Sequence, residues 1–366
     1  GTRRMSDSIS ELRRKALERI EPPDQVASAV ARALECEELK TMGNRSYANA
    51  FEYPESKFDP GEPPIVSYNQ AVRRDPYVRT QPYTYMVFKD PDEDWMYAKD
   101  FRGSNKFPTK DSATIILAVL PSGGRQFYKR NSYVINRTLP FPNNIVIEGE
   151  GPGNTIWRSA NNLNATLIEI TAKSDVIIKE MELDGNRANQ NAGSLTAITD
   201  AFRDVIFEKC AIHDSYGPGV NATSPGWGHG LKVLFCDIYN NRGPGVNIYN
   251  YHFYSDICGN RVHENLNYGI ITSLAYFSII RGNFCFSHQD WGGIGSWGYW
   301  STVENNVCYD NAGAGIYMSE DQYSVIGNIV YMTRNGYGIV LEDGISPLSK
   351  GYSSICLLYT SDAADE

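Results

Sequence analysis

The sequence predicts a parallel β-helix, and three observations carry the prediction. Asn260, Asn283, Asn306 and Asn328 recur at intervals of 23, 23 and 22 residues. Three apolar columns keep the same register: Ile257, Ile280, Val303, Val325; then Val262, Cys285, Cys308, Val330; then Ile270, Ile294, Ile316, Ile339, where each Ile follows a Gly. Each repeat holds short β-branched runs such as Ser278-Ile279-Ile280 and lacks the helical periodicity that ankyrin-type or tetratricopeptide repeats require. A coil this short buries its apolar side only when the next coil stacks on it, so a fixed period of this size calls for a solenoid. The leucine-rich consensus is missing, which leaves the parallel β-helix, with coils about 4.8 Å apart.

The recurring Asn belongs at a bend between strands, where stacked amides hydrogen-bond along the axis. Cys210 and Cys236 occupy the same slot in earlier coils and read as small apolar plugs. Ahead of the solenoid, residues 1–42 read as helical. Ile9, Leu12, Ala16 and Ile20 share one face, Pro22-Pro23 break it, and Asp24 caps a second run bearing Val26, Val30 and Leu34. Residues 43–110, rich in Tyr, Pro and Asp, read as an irregular arm lying on the solenoid. The β-helix then occupies residues 111–355.

Residues 356–366, Cys-Leu-Leu-Tyr-Thr-Ser-Asp-Ala-Ala-Asp-Glu, look like a translated sequencing adapter, which would make the chain an assembled environmental sequence. They are expected to make few buried contacts. Deleting them should leave the melting temperature unchanged, and a large loss on deletion would assign them to the fold.

The chain has 366 residues, 42% of them hydrophobic, enough for a large core, and no apolar stretch approaches the length of a membrane span. Seven Cys without paired spacing read as free buried thiols, not as a disulfide framework or a metal site. No signal peptide is visible in this chain. Residues 141–350 hold 12 Lys and Arg against 21 Asp and Glu, a balance equal to the −9 of the whole chain. Nucleic acid is therefore not an expected partner, because phosphate binding needs clustered basic residues.

Asp111-Ser112-Ala113-Thr114-Ile115-Ile116-Leu117, Ser132-Tyr133-Val134-Ile135 and Asn144-Ile145-Val146-Ile147-Glu148-Gly149 resemble the opening coils of pectate-lyase-like β-helix proteins, and the resemblance covers about two thirds of the chain. It implies an all-β, right-handed helix of three parallel sheets. It also implies a group of polysaccharide lyases, glycoside hydrolases, uronan epimerases and phage tailspikes, with a trimer expected if the chain is tailspike-like. In such proteins the strand after the Gly of each repeat meets substrate.

Alternation from the inward Ile column places Asn247, Ile271, Gly295, Tyr317 and Val340 outward, followed by Tyr249, Ser273, Trp297, Ser319 and Glu342. The turns beyond add His252, Tyr299, Trp300, Glu320, Asp321 and Asp343. Tyr249, Trp297, Tyr299, Trp300 and Tyr317 are the expected substrate-binding rings, since sugar C–H faces stack on aromatic rings. Glu320, Asp321, Glu342, Asp343 and His252 are the candidate catalytic groups. The two acidic pairs are 22 residues apart, one coil, so they serve either as glycosidase carboxylates or, through Glu320, Asp321 and Asp343, as Ca²⁺ ligands.

No single reaction is assigned by motif. The Asp-Pro-His of the epimerases is missing, Gly228-His229-Gly230 matches only a fragment of the polygalacturonase set, and no outward Lys or Arg lies on the substrate strand from 245 to 343. The sequence therefore predicts a secreted, cell-surface or phage-borne protein that binds and cleaves a polysaccharide, as hydrolase or lyase. A non-catalytic tailspike or adhesin is the alternative.

Overall fold

The computed structural model describes residues 83–342 apart from 91–93, 104, 224–225, 320–322, 332 and 335, together with the backbone of strands Ser354–Cys356 and Tyr359–Ser361. The helices expected within 1–42 and most of the arm lie outside the described residues.

The chain winds as a β-solenoid of about 9 turns. Each turn contributes one strand to each of three parallel ladders, because apolar residues such as Ile270, Ile280 and Cys285 face one common interior and are fully buried. The first ladder runs through Val246–Phe253, Ile270–Tyr276, Ile294–Tyr299, Ile316–Ser319 and Ile339–Glu342. The second runs through Asp256–Cys258, Ile279–Arg281, Thr302–Glu304 and Ser324–Ile326. The third runs through Arg261–His263, Phe284–Phe286, Val307–Tyr309 and Ile329–Tyr331. The three apolar columns read from the sequence keep their register in these ladders.

The Asn column forms a continuous amide ladder at the bend between the second and third ladders. Asn306 shows the unit. Its Oδ1 accepts from both the backbone N–H and the side-chain amide of Asn283, each at 2.9 Å, while its Nδ2 donates to Ile280 O and Asn328 Oδ1, each at 2.9 Å. Cys236 holds the same slot one rung before Asn260, whose Oδ1 accepts its N–H at 2.9 Å. A second ladder, not anticipated, follows the third sheet. Asn241 donates to Asn265 at 2.9 Å, and Asn311 accepts the His288 N–H at 3.3 Å, so His288 stands in an Asn slot.

Two expectations are corrected at the N-terminal end. Residues Tyr85–Lys89, Met96–Asp100 and Asn105–Thr109, placed in the irregular arm, form an antiparallel meander, and Tyr85–Val87 pairs in parallel with Gln126–Tyr128. Their alternation was hard to see because Val87, Met96 and Ala98 are the buried positions of strands only five residues long. Residues Ser112–Val119, likened from sequence to part of an opening coil, are an α-helix. A short apolar run does not separate helix from strand. Here the Asp111 carboxylate caps the Thr114 N–H at 3.1 Å, and Ala113, Ile115, Ile116 and Val119 are buried in the core. Meander and helix together cover what would be an open end of the solenoid.

At the other end, Ser354–Cys356 pairs with Ser324–Ile326 and Tyr359–Ser361 with Ile329–Tyr331, so the backbone register continues into the tail. The five described cysteines are free, with Cys210, Cys236, Cys285 and Cys308 buried.

Candidate functional site

The outer face of the first ladder gathers most of the residues the sequence selected. Tyr249, Ser273, Trp297, Ser319 and Glu342 are paired rung to rung, as are Asn247, Ile271, Gly295, Tyr317 and Val340. Trp297 lies back across Gly295, where a Cβ would come within 2.7 Å of the indole. Any larger residue at 295 would lift the ring off the sheet. The indole sits 5.0 Å from the Tyr317 ring and meets Tyr268 edge-on at 5.6 Å, and Tyr268 lies 5.6 Å from Trp291, which is 53% exposed. The Tyr317 hydroxyl donates to the Glu342 carboxylate. Burial, with Tyr317 nearby, pushes the Tyr268 phenol up to about 12, so it stays a hydrogen-bond donor.

Tyr268 and Trp291 escaped the sequence reading because they lie in the turns before their strands. The available signal was position, since both immediately precede the Gly residues that lead into the inward Ile column.

Tyr299 and Trp300, grouped by sequence with Trp297, belong to a different array. At the bend after the first ladder, Trp227, Phe253, Tyr276 and Tyr299 stack at 5.3, 5.0 and 5.2 Å. Alongside them Tyr254, Phe277 and Trp300 stack at 5.3 and 5.2 Å. Tyr254, Phe277 and Trp300 all take positive φ, 57°, 54° and 53°, a strained choice for bulky residues that the stacking holds in place. His229 lies against Phe253 at 5.2 Å, and burial, then Arg203, lowers its pKa.

The placement of His252 is a correction. The sequence put it in an outward turn, yet it is fully buried inside the solenoid. Asn250 and Tyr251 both take positive φ, 66° and 44°, and the register shifts between Tyr249 and His252, which returns His252 to the inner side. Its Nε2 lies 3.0 Å from Tyr249 O, its ring packs 5.3 Å from Phe202, and burial pulls its pKa down to about 4.

Glu320, Asp321 and Asp343 lie outside the described residues, so their spacing from Glu342 and their fitness to hold Ca²⁺ are not part of the described geometry. Before the bend, the described outward positions of the first ladder from Ile168 onward carry Glu169 and Glu342 and no Lys, Arg or His. Polar ladders fill the earlier rungs, with Thr171 and Thr199 hydroxyls 2.9 Å apart and Asn247 donating to Asn221 at 2.8 Å.

One cluster has the composition of a metal site, Asp184, His213 and Asp214 on the third ladder. Its cation is already present. His213 Nδ1 lies 2.9 Å from Asp214 and Nε2 3.2 Å from Glu182. Burial alone would lower its pKa, but the hydrogen bonds to Asp214 and Glu182 hold it up at about 9. The imidazolium also stacks on Tyr239 at 4.6 Å, so the group reads as an ion network on the sheet surface.

No protein-family model and no curated protein matches this sequence. Solved structures do. Full-length tailspike protein 2 from an Escherichia coli O157:H7 bacteriophage matches with a TM-score of 0.53 at 12% identity, over 76% of this chain and 44% of that one. An exopolygalacturonase from Thermotoga maritima matches at 0.50 and 10% identity, over 78% and 83%. The Dettilon tailspike matches at 0.50 and 14% identity, over 62% and 48%. The chain thus spans less than half the length of both tailspikes. At these identities the likeness establishes architecture, and on that ground this chain is a right-handed parallel β-helix.

Proposed function

We propose that the outer face of the first ladder binds a polysaccharide, with Trp297 as the central ring and Tyr249, Tyr268, Trp291 and Tyr317 around it. The observation that carries this reading is the Trp297 ring laid over Gly295 among three further aromatic residues on an outer sheet face. Such rings accept sugar C–H faces while their polar tips bond hydroxyls. The likeness to a tailspike and to an exopolygalacturonase supports it at the level of fold. The reading places the protein outside the cell or on a phage particle.

Cleavage is the finer part of the proposal. Glu342, hydrogen-bonded by Tyr317 beside Trp297, would act with Glu320, Asp321 and Asp343 as acid and base, or the last three would hold Ca²⁺. The competing reading, a binder without chemistry, is favoured by one fact. Glu342 is the single carboxylate among the described outward residues of the aromatic rungs, and His252 is inside.

A panel of neutral glycans and polyuronates, with and without Ca²⁺, read for binding, reducing ends and unsaturated products, tests both parts. Binding with turnover that disappears in an Asp321→Ala, Glu342→Ala double variant is the expected result for the enzyme. Full activity in that variant would remove these carboxylates from the mechanism. Failure of the folded wild type to bind any glycan would end the proposal.

A further inference from the structure

Three successive rungs of the solenoid carry serine in one inward slot, at Ser255, Ser278 and Ser301. Backbone bonds fix their register, since Ile279 donates to Ser255 O at 2.8 Å and Thr302 to Ser278 O at 2.8 Å. All three residues are buried, and none of their hydroxyls meets a hydrogen-bond partner in the protein. Leu231 closes the slot on the rung before and Tyr323 on the rung after, both buried. The preceding inward slot narrows from His252 to Ala275 to Gly298 over the same rungs, and a Cβ at Gly298 would stand 3.2 Å from the Ser301 hydroxyl. The Nδ1 of His252 is also buried without a partner, and deeper in the core Thr272 donates to Ser296 at 2.8 Å.

We propose that this stretch of the interior binds a file of ordered water molecules that bridges Ser255, Ser278 and Ser301 and begins at the His252 rung. A buried hydroxyl left unpaired is destabilising by about 1–3 kcal/mol, and such groups in folded proteins are regularly satisfied by buried water. Spacing favours bridging. Hydroxyls one rung apart are separated by about 4.8 Å, too far to bond each other, whereas one water between them reaches both at about 2.8 Å. The ligand is water and not a cation, because these slots supply neutral donors and acceptors and no carboxylate.

The test combines a high-resolution crystal structure of the wild type with thermal melts of Ser278→Ala and of the triple alanine variant at 255, 278 and 301. The expected result is ordered water within hydrogen-bond distance of the serine hydroxyls, with the melting temperature falling by about 2 °C per serine removed. A dry interior in the crystal, or alanine variants that melt higher because an unpaired hydroxyl has gone, would overturn the proposal.

Discussion

Replacing Asn306 with Ala should destabilise the fold by about 3–5 kcal/mol, measured by urea unfolding. The side chain makes four hydrogen bonds, and its loss leaves Ile280 O, the Asn283 N–H and the Asn283 amide without the partner they now have, all inside the bend. Unpaired buried groups are more damaging than the bonds themselves are stabilising. Because neighbouring coils depend on one another, the effect should spread to adjacent rungs as faster amide exchange around Asn283 and Asn328. A loss below about 1 kcal/mol would mean that the ladder decorates the stack without holding it.

Stability should peak near pH 6.5 and fall on both sides, for reasons that lie in three histidines. His252 and His288 are buried and neutral, with burial lowering them to about 4 and about 3. The unfolded chain protonates them near 6.5, so their contribution is full above that pH and is lost as pH falls towards the folded values. By pH 4 the loss is about 3 kcal/mol for each. His213 acts in the opposite sense. Its folded value of about 9 lies above the unfolded one, so its contribution is full below pH 6.5 and fades as pH rises through 9. The diagnostic variant is His288→Asn, which puts an amide into an Asn slot and removes one depressed imidazole. It should flatten the acid limb, and an unchanged slope between pH 7 and 4 would refute the assignment.

Much of the fold was legible because its signals are periodic and local. An Asn every coil, a Gly before each inward Ile and β-branched runs between them are properties of the string, and the ladders at Asn260 to Asn328 and Ile270 to Ile339 follow directly. The candidate site was legible to the extent that it obeys alternation, which placed Tyr249, Trp297, Tyr317 and Glu342 on one face. Alternation failed where the backbone leaves the extended region. Two positive-φ residues, Asn250 and Tyr251, turn His252 inward, and the turn at Trp300 carries it and Tyr299 into the stacked array. Tyr268 and Trp291 depend on how a turn folds back over its strand, which alternation does not encode; their place just before the Gly residues of each repeat was the signal left unread.

The two aromatic arrays also allow the site to be located. Trp297 belongs to the face and Trp227, 57% exposed, to the bend. Tryptophan fluorescence titrated with the glycan selected by the panel, on the wild type, Trp297→Ala and Trp227→Ala, tests the central claim most directly. The account predicts a saturable change in the wild type, affinity about tenfold weaker in Trp297→Ala, and wild-type affinity in Trp227→Ala. Undiminished binding by Trp297→Ala with loss in Trp227→Ala would contradict it and move the binding surface to the bend.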